Sequence, residues 1–178
     1  PSNRTRVSFA VGMFQLGGLS IYLGPGEINL GVREAIKDVA QTLSRYVDGI
    51  VLRTFEHKNV IELAKYAGVP VINGLSDFSH PCQGLADLYT IREKFGSLKN
   101  RLLVYVGDGN NVTHSLLYGC AKTGLNLNIA APEKFEPDKA VFKEALGLAL
   151  ASGARISLSR DPLKACKNAD VIYTDVWT

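Results

Sequence analysis

Leu102-Leu103-Val104-Tyr105-Val106, running directly into Gly107-Asp108-Gly109-Asn110-Asn111, is the stretch on which the fold turns. The five apolar residues read as a strand, the glycines and asparagines as a tight turn, and 112–123 then takes up helical spacing. Strand, turn and helix recur after it. A strand is expected over 125–130, and a helix over 138–150 with Val141, Phe142, Ala145 and Leu148 on one side. A strand follows over 156–159, then a short helix over 161–167 capped by Asp161 with Pro162 at its first position. A last strand over 171–173 leads to Asp175. Alternation of this kind implies parallel sheets with helices on both faces.

The first half follows the same grammar. A helix opens near Ser2 and carries Val7, Ala10, Val11 and Phe14 on one face before Gly17-Gly18. A short strand is expected over 20–23, a turn at Gly24-Pro25-Gly26, and a helix over 31–46 with Val32, Ile36, Val39, Ala40 and Leu43 inward. The apolar run 49–52 suits a buried parallel strand and delivers Arg53 at its carboxyl end. A helix over 59–67 ends at Gly68, and a strand over 69–72 places Asn73 at its carboxyl end. The polar loop from Ser76 to Gln83 leads into a helix over 83–95, with Leu85, Leu88, Tyr89 and Ile91 inward and Gly96 closing it. The expected fold class is therefore α/β: two doubly wound parallel-sheet units joined by a hinge helix. The boundaries are 1–82, a hinge helix and linker over 83–98, and 99–178.

Composition narrows the functional classes. The chain has 178 residues, 46% of them apolar and 21% charged, which is ordinary for a globular protein. A net charge of +3 and a pI near 8.8, without a lysine block or basic stripe, argue against a nucleic-acid partner. There is no apolar run that would span a bilayer and no signal-peptide pattern at the start, so the expected setting is the cytoplasm, or an organelle matrix after processing. Cys82, Cys120 and Cys166 are widely spaced without CxxC or a His cluster, so neither a disulfide framework nor a metal site is expected.

Ser2-Asn3-Arg4-Thr5-Arg6 carries the strongest chemical signal. A helix start exposes unpaired N–H groups and a partial positive charge, which favours carboxylates there. Here Arg4 and Arg6 occupy the first turn, and the first carboxylate in the chain is Glu27. An external phosphate would relieve that repulsion; the plainer alternative is a surface helix capped by Ser2 or Asn3 with two solvated arginines. Arg53 at a strand end is a second anion contact, or else pairs with Glu56. Gly107-Asp108-Gly109 falls short of a dinucleotide fingerprint, because Val112 stands where its third glycine belongs. His80 after a polar loop can donate to a carbonyl or phosphate oxygen, in company with Gln83; His57 and His114 receive no role. The arginines singled out lie in the first unit and the acids in the second. That points to an anionic, phosphate-bearing ligand on one domain and an amine-bearing one on the other.

These residues resemble a known family. Ser2-Asn3-Arg4-Thr5-Arg6 is similar to the Ser-x-Arg-Thr-Arg motif of the carbamoyltransferases, and His80-Pro81-Cys82-Gln83 to their His-Pro-x-Gln motif, with the Cys of the ornithine branch. Gly107-Asp108-Gly109-Asn110-Asn111-Val112 resembles the ornithine-binding turn, and Asp175-Val176-Trp177 the segment before that family's Ser-Met-Gly. The resemblance implies that Ser2, Asn3, Arg4, Thr5, Arg53, His80, Pro81, Cys82 and Gln83 serve carbamoyl phosphate, with Arg4, Arg53, His80 and Gln83 catalytic. It implies that Asn111 and Asp175 bind ornithine, that the product is citrulline, and that no cofactor or metal takes part. It implies a homotrimer or a multiple of it, in which the stretch around Asn29 reaches a neighbouring site. On the family pattern Arg4 and Arg53 stabilise the departing phosphate, while His80 and Gln83 polarise the carbonyl. Asn29 stands where Gln or His is usual, and Asn3 where Thr is usual. The resemblance also implies a chain lacking both ends, with the first unit binding carbamoyl phosphate and the second ornithine. Two alternatives stay open: another acceptor amine, such as putrescine or an acylated ornithine, and a non-catalytic relative that binds carbamoyl phosphate.

Overall fold

The computed structural model describes residues 2–176, so Trp177 of the last motif lies outside the described residues. The chain divides into two compact units, one of residues 1–52 and 58–74, the other of residues 53–57 and 75–178.

In the second unit the strands β3 (Leu102–Val106), β4 (Asn126–Ala130), β5 (Ile156–Ser159) and β6 (Val171–Tyr173) form one sheet in the order β5-β4-β3-β6. Every pairing is parallel, with Leu103 opposite Leu127 on one edge of β3 and opposite Val171 on the other. Alternate residues face opposite ways. Leu103, Tyr105, Leu127 and Ile129 point into the main core, which α5 (Pro81–Phe95), α6 (Asn111–Thr123) and α7 (Lys139–Ser152) cover through Leu88, Ile91, Leu116, Leu117, Cys120, Val141 and Ala145. Val104 and Ala130 point to the other face, against Ala165 of α8 (Pro162–Ala165). Full burial of each large side chain contributes about 1.5–3 kcal/mol, so this core accounts for much of the unit's stability.

The helix starts follow from local chemistry. Asp138 Oδ1 accepts from the Ala140 and Val141 N–H groups at 2.8 and 3.0 Å, and Asp161 Oδ1 from Lys164 N–H at 3.1 Å. α5 begins at Pro81, two residues before the expected start, because proline suits the first helical position. On α5, Leu85 and Tyr89 lie outward, and only Leu88 and Ile91 of the four expected residues are buried.

The first unit holds α1 (Asn3–Gln15), α2 (Pro25–Ile28), α3 (Ile36–Leu43), β1 (Ile50–Arg53), α4 (His57–Tyr66) and β2 (Val71–Leu75), the last residues of the two strands falling to the second unit. β1 and β2 pair, and the bonds from Ile50 N–H to the Pro70 carbonyl and from Thr54 N–H to the Leu75 carbonyl progress in the same direction, the parallel sense. Their core gathers Ile36, Ala40 and Leu63 against Ile50, Leu52, Tyr66 and Val71.

Several local expectations fail here. Residues 20–23 form no strand, because no neighbouring strand takes up their backbone groups; Ile21 is 70% exposed. The helix expected over 31–46 begins only at Ile36. Gly31 takes φ +79°, and a Leu30–Glu34 bridge holds the chain in a turn that leaves Val32 outside. A short helix, α2, replaces the expected Gly24-Pro25-Gly26 turn. Asn73 lies inside β2 instead of at its end. No residue of α1 is buried, and Phe14 is 81% exposed, so its apolar stripe packs on nothing within the described residues.

Gly109 gives a test of the close packing behind the β3–α6 turn. A Cβ there would collide with the backbone of Glu136 and Pro137, and the Gly109 N–H donates to the Phe135 carbonyl at 2.7 Å. Gly109→Ala is expected to destabilise the whole protein by about 1–3 kcal/mol, as overpacking does. Urea unfolding measures it, and an unchanged midpoint would contradict the contact.

Candidate active site

In the second unit the chain leaves β3, moves outward through β4 and β5, and returns to the opposite edge of β3 as β6. That reversal opens a crevice at the carboxyl ends of β3 and β6, the usual place for a ligand in an open α/β sheet. The Gly107–Asn111 turn and Asp175 lie there. Asn110 ties them together: its Oδ1 caps α6 by accepting from Val112 and Thr113 N–H at 2.9 and 3.2 Å, and its Nδ2 donates to Asp175 Oδ2 at 3.2 Å. The neighbouring Asn111, expected to face a ligand, instead donates from Nδ2 to the Ser76 carbonyl at 2.7 Å, which leaves its Oδ1 end to a ligand.

One face of α6 holds the loop that carries His80. Besides Asn111, His114 Nδ1 bonds the Phe78 carbonyl at 2.8 Å, and Ser115 Oγ accepts from His80 N–H at 2.8 Å. Positions 111, 114 and 115 share a face at helical spacing. The Asp138 N–H points to His114 Nε2 at 3.4 Å, so Nδ1 carries the proton and donates. The Phe78 ring lies between His57 and His114, with centroid separations of 5.0 and 5.4 Å, and His57 Nδ1 meets Ser76 Oγ at 2.8 Å. Both histidines without a sequence role thus shape this loop.

His80 itself is half-buried. Its Nδ1 is buried without a hydrogen-bond partner among the described residues. Burial pushes its pKa down, the positive charge of Arg53 pushes it further down, and Asp175 pulls it partly back. The imidazole is therefore neutral at physiological pH, with one N–H to donate. Pro81 starts α5, and the half-buried Cys82 has its thiol pKa pushed up by burial, which makes it a poor nucleophile. Gln83 Nε2 donates to Asp87 Oδ1 at 2.9 Å, so the Gln83 Oε1 is left to accept from a ligand.

In the first unit, Ser2 caps α1, its Oγ accepting from Thr5 N–H at 3.3 Å and donating to Thr5 Oγ1 at 3.0 Å. The first turn contains no acid; Arg4 is exposed, and Arg6 stacks its guanidinium on Tyr22 at 4.2 Å. Ser2, and not Asn3, is thus the cap. Asn29 ends α2 in the left-handed region at φ 43°, which asparagine tolerates better than the Gln or His expected there.

Comparison with known proteins places these motifs in context. Residues 1–93 match the family model described as the aspartate/ornithine carbamoyltransferase carbamoyl-P binding domain, and residues 99–178 match that of the Asp/Orn binding domain. The chain belongs to the aspartate/ornithine carbamoyltransferase family. Within this family of carbamoyltransferases it is 58% identical over 177 residues to the ornithine carbamoyltransferase of Thermococcus kodakarensis, covering 99% of this chain and 56% of that protein. The ornithine carbamoyltransferase structure from Pyrococcus furiosus superposes with a TM-score of 0.98 at 57% identity, over 100% of this chain and 57% of that one. An N-acetyl-L-ornithine transcarbamylase structure gives 0.88 at 31% identity, over 99% and 62%. The chain thus spans a little over half the length of the carbamoyltransferases it matches. Among the described residues no helix is long and apolar enough to cross a membrane, and no cluster of three or more His, Cys, Asp and Glu residues could hold a metal.

Asn110, Ser115 and Asp87 escaped the sequence reading. An N-cap rule would have found the first had the helix been started at its observed first residue, Asn111, since the expected 112–123 bounds put Asn111 in the cap position, and the Gln83/Asp87 spacing of four would have found the last.

The depressed His80 pKa has a consequence for stability. The folded protein resists protonating this ring, so the stabilising contribution is fully present above the unfolded value near 6.5 and is lost as pH falls through the lowered folded value. The stability gap between the wild-type protein and His80→Gln is expected to be wider at pH 8 than at pH 5, measured by thermal unfolding. An equal gap at both would refute the neutral assignment.

Proposed function

We propose that the whole protein transfers the carbamoyl group of carbamoyl phosphate to the side-chain amine of ornithine, giving citrulline and phosphate. The observation that carries this reading is the half-buried, neutral His80, with its orphaned Nδ1 and the charges of Arg53 and Asp175 acting on it. The high identity to relatives named ornithine carbamoyltransferase supports ornithine over an acylated acceptor, since the N-acetyl-L-ornithine enzyme stands at 31%.

In this mechanism the neutral amine attacks the carbonyl carbon. A C–N bond forms, the bond between that carbon and the bridging phosphate oxygen breaks, and the proton shed by the amine ends on the departing phosphate. Ser2, Asn3, Thr5 and the α1 N-terminus bind phosphate, and Arg4 and Arg53 neutralise the charge that grows on it. His80 donates its N–H to the carbonyl oxygen. Gln83 differs from the sequence expectation: with Nε2 engaged by Asp87, its Oε1 takes the carbamoyl NH2 instead of polarising the carbonyl. Pro81 and Cys82 shape the start of α5 around these two. Asn111 and Asp175 bind the amino-acid end of ornithine and leave its side-chain amine free. Holding two reactants in line supplies up to about 7–11 kcal/mol without a covalent intermediate. The proposed assembly is a homotrimer, with the segment around Asn29 serving a neighbouring subunit, and the proposed setting is the cytoplasm.

The test is citrulline formation by the whole protein. Arg4→Ala is expected to lower kcat/KM by about 10²–10³, the usual cost of losing one preorganised donor. Ornithine is expected to turn over far faster than N-acetylornithine or putrescine. Carbamoyl phosphate binding without turnover of any of the three amines would favour a non-catalytic protein.

A further inference from the structure

Asp87 is a half-buried carboxylate on α5 that the sequence motifs leave unassigned and that meets the proposed site only through Gln83. Its Oδ1 accepts from Gln83 Nε2 at 2.9 Å, while Oδ2 is buried without a hydrogen-bond partner among the described residues. Tyr173 of β6 stands close enough for the two groups to shift one another's acidity, but outside hydrogen-bond geometry with Oδ2. Burial pushes the Asp87 pKa up, and the bond from Gln83 and the nearby Tyr173 hydroxyl pull it partly back. A glutamine–aspartate pair four apart adds little to a helix, whereas a desolvated carboxylate costs more than that. Helix stability therefore does not account for Asp87.

An amide side chain has two chemically different ends that occupy nearly the same space, so a glutamine in a binding site can present either a donor or an acceptor. An ionised carboxylate removes the ambiguity, because it can only accept and so must face the amide nitrogen. From this we infer that Asp87 is a positioning residue, holding the Gln83 amide so that Oε1 faces the ligand and selects a ligand carrying an N–H donor. It acts through Gln83 and touches no substrate. The inference rests on the carbamoyl-transfer reading, since the NH2 of the carbamoyl group is the donor that Gln83 would meet.

The discriminating experiment compares two ligands on the whole protein by calorimetry: carbamoyl phosphate, which carries the NH2 group, and inorganic phosphate, which lacks it. Asp87→Ala is expected to weaken carbamoyl phosphate about tenfold while leaving phosphate within about twofold, since one oriented hydrogen bond is at stake. Asp87→Asn can donate as well as accept, so it restores the ambiguity of the Gln83 amide and is expected to weaken carbamoyl phosphate by about threefold or more while leaving phosphate within about twofold. In steady-state kinetics Asp87→Ala should raise KM for carbamoyl phosphate, and the same change made in Gln83→Ala should add nothing further, the signature of a shared interaction. Equal weakening of both ligands, no weakening of either, or additive effects of the two substitutions would overturn the positioning role. If Asp87→Ala does not fold, the near-isosteric Asp87→Asn decides: a wild-type KM for carbamoyl phosphate in Asp87→Asn, or equal weakening of both ligands, overturns it. A wild-type protein that binds neither ligand removes the carbamoyl-transfer reading and this inference with it. A wild-type protein that forms citrulline while Asp87→Ala fails to discriminate removes this inference alone.

Discussion

The placement of β3 between β4 and β6 is the constraint from which the functional half of this molecule follows. All five of its residues pair with β4, and Leu103, Val104 and Tyr105 also pair with Val171, Ile172 and Tyr173 of β6. A strand bonded on both edges must be entered and left at its ends. The chain therefore turns sharply at Gly107, departs to one side, and returns on the other. Asp175 thereby arrives beside a turn 65 residues earlier in the chain, where Asn110 grips it. Tyr105 and Tyr173 stack at 5.8 Å just below, and the Tyr105 hydroxyl donates to the Asp108 carbonyl at 3.0 Å, so the floor of the crevice is anchored to the sheet.

The second consequence is that α6, starting from that turn, becomes a platform. Asn111, His114 and Ser115 each offer a polar atom to the segment before α5, and each such bond is worth about 1 kcal/mol. Backbone bonds from Thr54 to Leu75 and from Asp77 to Phe55 run the 53–57 segment along the same loop. Arg53 and His80 are thus fixed by hydrogen bonding more than by apolar burial. Such preorganisation suits a site whose task is to hold charge where it develops.

Much of this was legible from the residues in order. The strands Leu102–Val106, Ile156–Ser159 and Val171–Tyr173 match the expected bounds, because short strand-forming runs between turn formers carry their own limits. The four motifs that marked the family were readable by eye. The stretch 20–23 misled because a β-rich run becomes a strand only where a neighbour pairs with it. Val32 misled because one glycine in the left-handed region, Gly31, helped to move the helix start to Ile36, more than a turn later than expected. The asparagine pair misled more subtly, since position alone does not say that Asn110 caps and reaches Asp175 while Asn111 holds the Ser76 carbonyl.

By itself, then, the order of residues determined the alternation of strands and helices, the membership of the family and the chemical types present: arginines at a helix start and a strand end, a histidine before proline, amides and an acid after strands. These are local or compositional properties, written in periods of two and 3.6 residues and in turn chemistry. Only the tertiary structure decided which amide faces inward, which histidines shape a loop and which one is held neutral, and that Asp87 takes one end of Gln83. Those outcomes depend on burial and on partners far apart along the chain, and neither is encoded in any short stretch.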